Sequence, residues 1–292
     1  MNAGSCQYDR AFRRTKMLDV EGTRAVYSYV SPRSRASRRS TSDHDSRLSV
    51  VTEGGNTRGT YTYDPAGKLT HLVYGNSSYA DYLYDPAGRL TVVSNKESDA
   101  TLVSQFAYTL DNAGMRRTMA ISGSAYTSAS VAYDYDSAYQ LTKETRTGGN
   151  AYTQSFTYDS AGNRVTKVLG GTTTQYYYDY IDRMTKAGTI AYSWEYWGNL
   201  TKIGTDKSYY WDAADRLTKF DGPGTSDDTT YVYAPGSWER VKRDKNGTVR
   251  YFVYDGDNVA AEYNSDATLA QSYVTPGLDD NLSTTTGGST YY

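Results

Sequence analysis

A ten-residue segment that occurs twice almost unchanged dominates the sequence. It reads YTYDPAGKLT at residues 61–70 and YLYDPAGRLT at residues 82–91. Alternating tyrosines precede Asp-Pro-Ala-Gly, and a Lys/Arg-Leu-Thr strand follows, which is the pattern of a β-hairpin. The Asp can bond the backbone ahead of it, Pro presets φ, and Gly supplies the positive φ of a type I turn closed by a bulge.

The same pattern continues along most of the chain, so we interpret it as a repeat array. Successive turn aspartates lie 20 to 26 residues apart as far as Asp179, and farther apart beyond it. This period suits one two-stranded unit with its return connection. Three later copies look degraded: the one at Gly198 lacks part of the turn, the one at Gly236 lacks Asp, and Asp255 begins a different turn. The predicted turn residues are Asp64, Gly67, Asp85, Gly88, Asp111, Gly114, Asp136, Asp159, Gly162, Asp179, Asp212 and Asp255.

Tyrosine is unusually abundant in this chain, and its abundance limits the fold classes that the sequence can adopt. The chain has 32 Tyr and 5 Phe, and 38% of its residues are hydrophobic. Such a composition does not suit a single compact core of aliphatic side chains. Tyrosine suits a broad sheet surface, where rings pack across strands and hydroxyls reach water or a neighbour. We therefore predict an all-β array of antiparallel hairpins.

The repeated unit Tyr-Asp-x-x-Gly-(Lys/Arg/Asn)-(Leu/Val)-Thr resembles the YD repeats of Rhs proteins, the bacterial relatives of toxin-complex shells and animal teneurins. The resemblance covers about residues 8–292. It implies a curved strip or partial hollow shell or barrel that acts as a non-enzymatic wall around a C-terminal toxin. The implied partners are the toxin domain or neighbouring repeats of a longer protein, and the implied location is secreted or at the cell surface.

The resemblance also divides the chain. We expect divergent N-terminal repeats at 1–30, an irregular Ser/Arg-rich segment at 31–47, the YD array at 48–249, and last repeats at 250–292 that lead toward an Rhs-associated core. The core, its self-cleavage motif and the toxin are absent, so we expect a segment of a longer protein. An array cut in this way has edge strands whose backbone N–H and C=O groups are unpaired. We therefore expect the isolated chain to be aggregation-prone or only partly folded.

Charge and cysteine content exclude several classes of function. The formal net charge is −2, which disfavours a nucleic-acid partner. The five arginines within 31–47 would suit a basic arm that binds nucleic acid or anionic lipid. A decayed or disordered repeat is the preferred interpretation of this segment. Cys6 is the single cysteine, so no disulfide framework or zinc pattern exists and we expect no cofactor or metal. No apolar run reaches the ~20 residues that span a bilayer.

Catalytic candidates are few. His44 and His71 are the two histidines, and neither follows a recognisable nucleophile motif. The aspartates recur at equivalent turn positions, which favours a structural role over an acid–base pair. A calcium loop starting at Asp255 fails, because Ala260 and Asp266 stand where Gly and Glu are required. We predict no catalytic residue, and a glycan-active enzyme with an Asp/Glu pair is the least favoured alternative.

A cluster of aromatic residues between positions 194 and 211 has two explanations, packing within the sheet and sugar binding. Cross-strand packing is the preferred explanation of these rings, because they occupy the aromatic positions of the repeat. Stacking of sugar rings on the indoles is the alternative, and it goes with a cell-surface carbohydrate-binding or adhesion protein. The candidate stacking residues are Trp194, Trp197 and Trp211, in a cluster with Tyr196, Tyr209 and Tyr210.

Overall fold

The computed structural model describes residues 5–8, 14–19, 22–29, 47–274 and 282–292. In this part of the chain the regular structure is strand, apart from one 3₁₀ turn at Thr225–Asp227. All the pairings are antiparallel, and most join strands that follow each other in sequence. The predicted all-β hairpin array is therefore confirmed. Residues 30–46, which include His44 and most of the Ser/Arg-rich segment, lie outside the described residues.

The strands have the following bounds. The first fourteen are β1 (Ser5–Tyr8), β2 (Arg14–Asp19), β3 (Gly22–Tyr29), β4 (Leu48–Glu53), β5 (Asn56–Tyr63), β6 (Leu69–Tyr74), β7 (Tyr79–Tyr84), β8 (Leu90–Lys96), β9 (Leu102–Leu110), β10 (Arg116–Ser122), β11 (Ala129–Tyr135), β12 (Leu141–Gly148), β13 (Tyr152–Tyr158) and β14 (Arg164–Leu169). The others are β15 (Thr172–Tyr178), β16 (Met184–Ala187), β17 (Ile190–Trp194), β18 (Leu200–Ile203), β19 (Lys207–Trp211), β20 (Leu217–Asp221), β21 (Thr229–Tyr233), β22 (Arg240–Lys245), β23 (Thr248–Asp255), β24 (Asn258–Tyr263), β25 (Leu269–Val274), β26 (Ser283–Thr286) and β27 (Ser289–Tyr291).

The chain forms two compact units. The first contains residues 1–83, 94–101 and 250–292, and the second contains residues 84–93 and 102–249. Within the first unit, β1 to β7 form one meander and β23 to β27 form another. Within the second unit, β9 to β22 pair in sequence order.

Side chains alternate across the strands, as the tyrosine pattern predicts. In β15, Tyr176 and Tyr178 are half-buried whereas Tyr177 between them is exposed. The pairing register shifts by one residue just before the last tyrosine of the hairpin, for example between Thr157 and Tyr158. Such a shift is a β-bulge, which increases the local twist and re-aims the side chain that follows.

Each unit has a small aliphatic core. In the second unit Ile121, Ala129 and Val131 are buried, and half-buried rings such as Phe106 pack against them. The first unit has a larger core that joins its two meanders. It consists of Val51, Leu72, Ala80, Ala260, Val274 and Leu282. Segments from opposite ends of the sequence therefore share one core within the first unit.

Candidate functional site

The repeated turn is the first component of the site, and Asp64 shows its geometry. The amide of Asp64 donates to the carbonyl of Lys68 at 2.9 Å, and the amide of Gly67 donates to the carbonyl of Asp64 at 3.0 Å. The carboxylate of Asp64 accepts from the amide of Lys68 at 2.9 Å. Gly67 has φ +87°, a left-handed conformation that costs glycine little. These bonds form a type I turn closed by a bulge.

Six of the other predicted turns repeat these backbone bonds. Asp85, Asp111, Asp136, Asp159, Asp179 and Asp212 each donate to a carbonyl four residues later and accept from an amide three residues later. In three of the turns the left-handed residue is Tyr139, Asp182 or Asp215 instead of glycine, with φ +61°, +64° and +58°. L-residues adopt this conformation at an energetic cost, so these three turns carry local strain.

One of the sequence expectations about degraded copies needs correction. The copy around Gly198 has not lost its turn, because Glu195 takes the place of Asp and makes both backbone bonds, with Gly198 and Asn199. At Asp255 the turn differs from the repeated type, because Asp255 is the last residue of β23 and pairs with Asn258 across a two-residue turn. The repeated geometry instead occurs at Asn264, whose amide bonds the carbonyl of Thr268.

An arginine that follows the turn connects it to the next turn along the second unit. Arg89 donates from Nε to Asp85 at 2.7 Å and from Nη1 to the carbonyl of Asp111, in the following turn, at 2.7 Å. Arg216 does the same with Asp212 at 2.9 Å and the carbonyl of Ser237 at 2.7 Å. Arg183 likewise bonds Asp179 at 2.8 Å and the carbonyl of Glu195 at 3.1 Å. We call this arrangement the turn clamp.

Asparagine replaces arginine in two turns and still bridges to the next one. Asn163 donates to Asp182 and Asn199 donates to Asp215, both at 2.7 Å. Asn199 also bonds Glu195 of its own turn. Adjacent turns of the second unit are thus joined whether the side chain is cationic or neutral.

The tyrosine that precedes the turn aspartate makes the second connection between hairpins. Its hydroxyl donates to a backbone carbonyl of the preceding hairpin, an arrangement that we call the tyrosine tether. The tethers run from Tyr63 to Leu48, Tyr158 to Leu141, Tyr178 to Arg164 and Tyr233 to Leu217, at 2.8, 2.7, 3.0 and 2.9 Å. Phenylalanine has no hydroxyl for this bond, so the tethers give one physical reason for the excess of tyrosine.

Two of the candidate sugar-stacking tryptophans occupy tether positions. Trp194 donates its indole N–H to the carbonyl of Met184, and Trp211 donates to the carbonyl of Leu200, both at 2.8 Å. Both side chains are half-buried. Trp197 differs, because it lies in the turn and is 80% exposed. The structure therefore separates the three candidates into two tethers and one exposed ring.

Hydrogen bonds and burial shift the pKa values of several side chains in the site. The side chain and backbone of Arg216 hold the pKa of Asp212 below its usual value, and the amide of Arg89 lowers the pKa of Asp85. Burial raises the pKa of Tyr158 and of Tyr178. Asp85 and Asp212 are thus favoured as anions, and the hydroxyls of Tyr158 and Tyr178 as neutral donors, which are the states that their bonds require.

The histidine candidate has a partner that the sequence did not reveal. His71 Nδ1 lies 2.7 Å from Asp81, and Lys96 Nζ lies 2.9 Å from the other carboxylate oxygen. The pKa of Asp81 is lowered, because the bonds from Lys96 and His71 outweigh desolvation. Register alone brings them together, since His71 opposes Asp81 in adjacent strands. Within the described ranges, no three His, Cys, Asp or Glu side chains are grouped so as to hold a metal.

Comparison with known proteins identifies the family. A model described as the teneurin YD-shell matches residues 115–276, which is more than half of the chain. The chain belongs to the teneurin YD-shell family. The Rhs and YD-repeat resemblance is therefore confirmed, and the clamps and tethers described above lie largely within the YD-shell match.

Two relatives of this YD-shell chain are bacterial nucleases. The chain is 33% identical over 165 residues to the tRNA3(Ser)-specific nuclease WapA of Bacillus spizizenii, and 33% identical over 147 residues to the tRNA nuclease WapA of Bacillus subtilis. The matches cover 54% and 48% of this chain but 7% and 6% of those proteins. The chain therefore corresponds to a small part of each relative.

Solved structures show the same YD-shell fold. The Photorhabdus luminescens Tc holotoxin pore aligns with 93% of this chain and 17% of its own, with a TM-score of 0.57 and 16% identity. The crystal structure of TcdB2-TccC3-Cdc42 aligns with 93% of this chain and 18% of its own, with a TM-score of 0.58 and 16% identity. Among the described residues no helix is long and apolar enough to cross a membrane.

Proposed function

We propose that this chain is a segment of the wall of an Rhs-type shell that encloses a toxic cargo in a larger protein. The observation that carries the proposal is the double connection between hairpins. In the second unit, clamps join neighbouring turns and tethers join neighbouring strands. A wall must resist separation of its strips, and bonds that repeat at successive hairpins supply that resistance.

The segment itself is non-enzymatic in this proposal. The turn aspartates accept hydrogen bonds from backbone amides and from clamp side chains, so their carboxylates serve the fold. Nuclease activity in the names of the WapA relatives belongs to those whole proteins, of which this chain matches a small part. We expect the isolated chain to leave tRNA intact.

The partners and location follow from the same proposal. The cargo is a toxin domain of the longer protein, and neighbouring repeats complete the wall. Such a protein acts outside the cell that makes it, so we propose that it is secreted or held at the cell surface. The adhesion alternative loses two of its three aromatic candidates, because Trp194 and Trp211 are tethers.

Protease protection of the cargo tests the proposal on the full gene product that contains these residues. An affinity tag inserted in the exposed return turn at Gly170 and Gly171 allows the protein to be isolated from its source cells. We expect a polypeptide other than the wall to survive a broad-specificity protease. The double variant Arg183→Ala/Arg216→Ala removes two clamps and should expose that polypeptide to digestion.

The matched control is Lys202→Ala, because Lys202 is an exposed basic residue on β18 with no clamp role. It should leave protection unchanged. A gene product that contains no protected polypeptide refutes the proposal. So does a cargo that is digested at the same rate in the wild type and in the clamp variant.

A further inference from the structure

One face of the sheet in the second unit carries both aromatic rings and basic side chains. The half-buried tether residues Tyr158, Tyr178 and Tyr233 lie on it, so we call it the tether face. Among the strand residues that the structure describes in this unit, Glu144 is the only acidic side chain on the tether face. The basic side chains that oppose or contact other residues of this face are Arg116, Arg146, Arg164, Lys167, Lys207, Arg240, Arg243 and Lys245. The nearly balanced charge of the whole chain therefore conceals a basic surface.

The repeat does not require basic residues at these positions. Lys167 opposes Phe156 across its hairpin. In the next three hairpins the residues at the position of Lys167 are Ala187, Ile203 and Phe220. The residues at the position of Arg164, opposite the tether residue, are Met184, Leu200 and Leu217. Because burial of a charge costs free energy unless the charge is paired, basic side chains here indicate a partner of opposite charge.

Arg164 is positioned to bind an anion. Its guanidinium carbon lies 4.3 Å from the ring centroid of Tyr176 and 5.7 Å from that of Phe156. These rings hold the guanidinium in place, which reduces the entropy that is lost when a ligand binds. Its Nε is shielded from solvent and has no hydrogen-bond partner among the described residues. An anionic group at this point supplies the acceptor that the N–H lacks. Lys167 lies on the same strand and face, and it has no ion-pair partner in the described part of the chain.

The basic side chains lie along a path that one extended polypeptide can follow. Arg146 is on β12, Lys167 on β14, Lys207 on β19 and Arg243 on β22. Neighbouring strands are about 4.8 Å apart, so the path from β12 to β22 corresponds to about 48 Å along the sheet. An extended chain rises about 3.3 Å per residue and covers this distance with about 15 residues. The spacing therefore suits a segment of polypeptide better than a single small anion.

The burial of the basic side chains favours carboxylates over a nucleic acid as the partner. Arg164, Lys167 and Lys207 are half-buried on the tether face. A carboxylate on a flexible side chain can enter between the rings and bond a guanidinium through both of its oxygens. The phosphates of an RNA duplex are fixed on a broad helix, which cannot bring them to an N–H that is shielded from solvent. An acidic polypeptide is thus the partner that this surface fits.

We propose that the tether face of the second unit binds an acidic, extended segment of the cargo polypeptide. Glu and Asp side chains of that segment pair with Arg164, Lys167 and Lys207, and its apolar side chains contact rings such as that of Tyr209. The inference rests on the proposed wall function, because it takes the cargo as the partner. It adds the chemical class of the cargo segment and the residues that hold it. Because salt screens ion pairs, binding should weaken as the ionic strength rises.

Fluorescence anisotropy with the full chain tests the binding. The probe is a labelled peptide of alternating Glu and Ala, about 15 residues long. The same peptide with Lys in place of Glu, and a single-stranded oligouridine, are the comparison ligands. At low salt we expect the Glu peptide to bind with a Kd below about 100 μM, and Arg164→Leu/Lys167→Ile to weaken that binding at least about tenfold. Leu200 and Ile203 occupy the same two positions in another hairpin, and circular dichroism verifies the fold of the variant.

The matched control is Lys186→Thr/Lys202→Thr. These two lysines are exposed on the opposite face, at the position that Thr166 holds in its own hairpin. The control variant loses as much positive charge as the tether-face variant, so it separates a specific surface from the net charge of the chain. We expect it to bind the Glu peptide as the wild type does.

The outcomes separate the alternatives. Binding of the Glu peptide that Arg164→Leu/Lys167→Ile loses and the control retains supports the inference. No saturable binding at about 1 mM peptide, or equal losses in the two variants, overturns it. Equal binding of the Lys peptide, or tighter binding of oligouridine than of the Glu peptide, overturns it as well. A cargo that resists protease while the Glu peptide fails to bind refutes this inference and leaves the proposed wall function standing.

Discussion

Removal of the tether hydroxyls tests the role of tyrosine in this array most directly. Tyr158→Phe, Tyr178→Phe and Tyr233→Phe each delete one bond of 2.7 to 3.0 Å and keep the ring. A hydrogen bond of this kind contributes about 1 kcal/mol net, and a carbonyl left without its donor adds to the loss where water cannot reach it. We expect each variant to lower the free energy of unfolding by about 1 kcal/mol.

The triple variant gives the stronger test. The three hydroxyls bond three different carbonyls, so their effects should nearly add, to about 3 kcal/mol. At a denaturant sensitivity of about 3 kcal/mol per molar urea, the unfolding midpoint falls by about 1 M. Urea titration followed by circular dichroism measures this shift, with tyrosine fluorescence as a second probe.

Tyr177→Phe is the matched control for the tether variants. The hydroxyl of Tyr177 bonds Gln175 of the same strand, and its ring is 48% exposed on the other face. Loss of this bond should change the free energy of unfolding by less than about 0.5 kcal/mol. If Tyr177→Phe destabilises as much as the tether variants, or if all of them fall within 0.5 kcal/mol of wild type, the tether argument is wrong.

Three further predictions concern titration, strain and close packing. A hydrogen bond to Glu144 raises the pKa of Tyr152 to about 12. This hydroxyl therefore ionises at lower pH in the unfolded chain than in the folded one, so the melting temperature should fall between about pH 10 and 12. The fall should be less steep in Tyr152→Phe. Tyr139 has φ +61°, so Tyr139→Gly should raise the free energy of unfolding by up to about 1 kcal/mol in urea titrations. A Cβ on Gly75 meets the hydroxyl of Tyr292, so Gly75→Ala should destabilise the first unit by about 1 to 3 kcal/mol in thermal unfolding.

The antiparallel hairpins are the part of the fold that the sequence predicted best, and their turns explain why. Their geometry depends on residues four or fewer positions apart, and Asp64 and Gly67 supply it locally. The same reasoning found a copy at Gly198 but did not assign Glu195 to its turn, and it missed the turn at Asn264, because it looked for Asp at that position. The backbone bonds of the turn do not depend on that side chain, and the Gly-Asn-Leu-Thr sequence at 198–201 was the signal that pointed to the copy at Glu195.

The contacts between hairpins could not be predicted from short stretches of sequence. The partner of Arg89 lies 22 residues away, and the partner of Tyr158 lies 17 residues away. Such pairs depend on register, which the bulge before each tyrosine sets. The core of the first unit is still less local, because Val51 and Leu282 belong to segments at opposite ends of the sequence. The pairing of His71 with Asp81 follows from register as well.

The chemistry of the connections explains why the repeat can vary and still form a wall. A tether needs a donor of the right length, and Tyr178 or Trp194 supplies one. Its acceptor is a backbone carbonyl, so the side chain there is free to change, and Arg164 and Met184 both accept tethers. Clamps likewise end on carbonyls in consecutive turns of different sequence. Substitutions at acceptor positions should therefore cost little, whereas substitutions at donor positions should remove a connection between neighbouring hairpins.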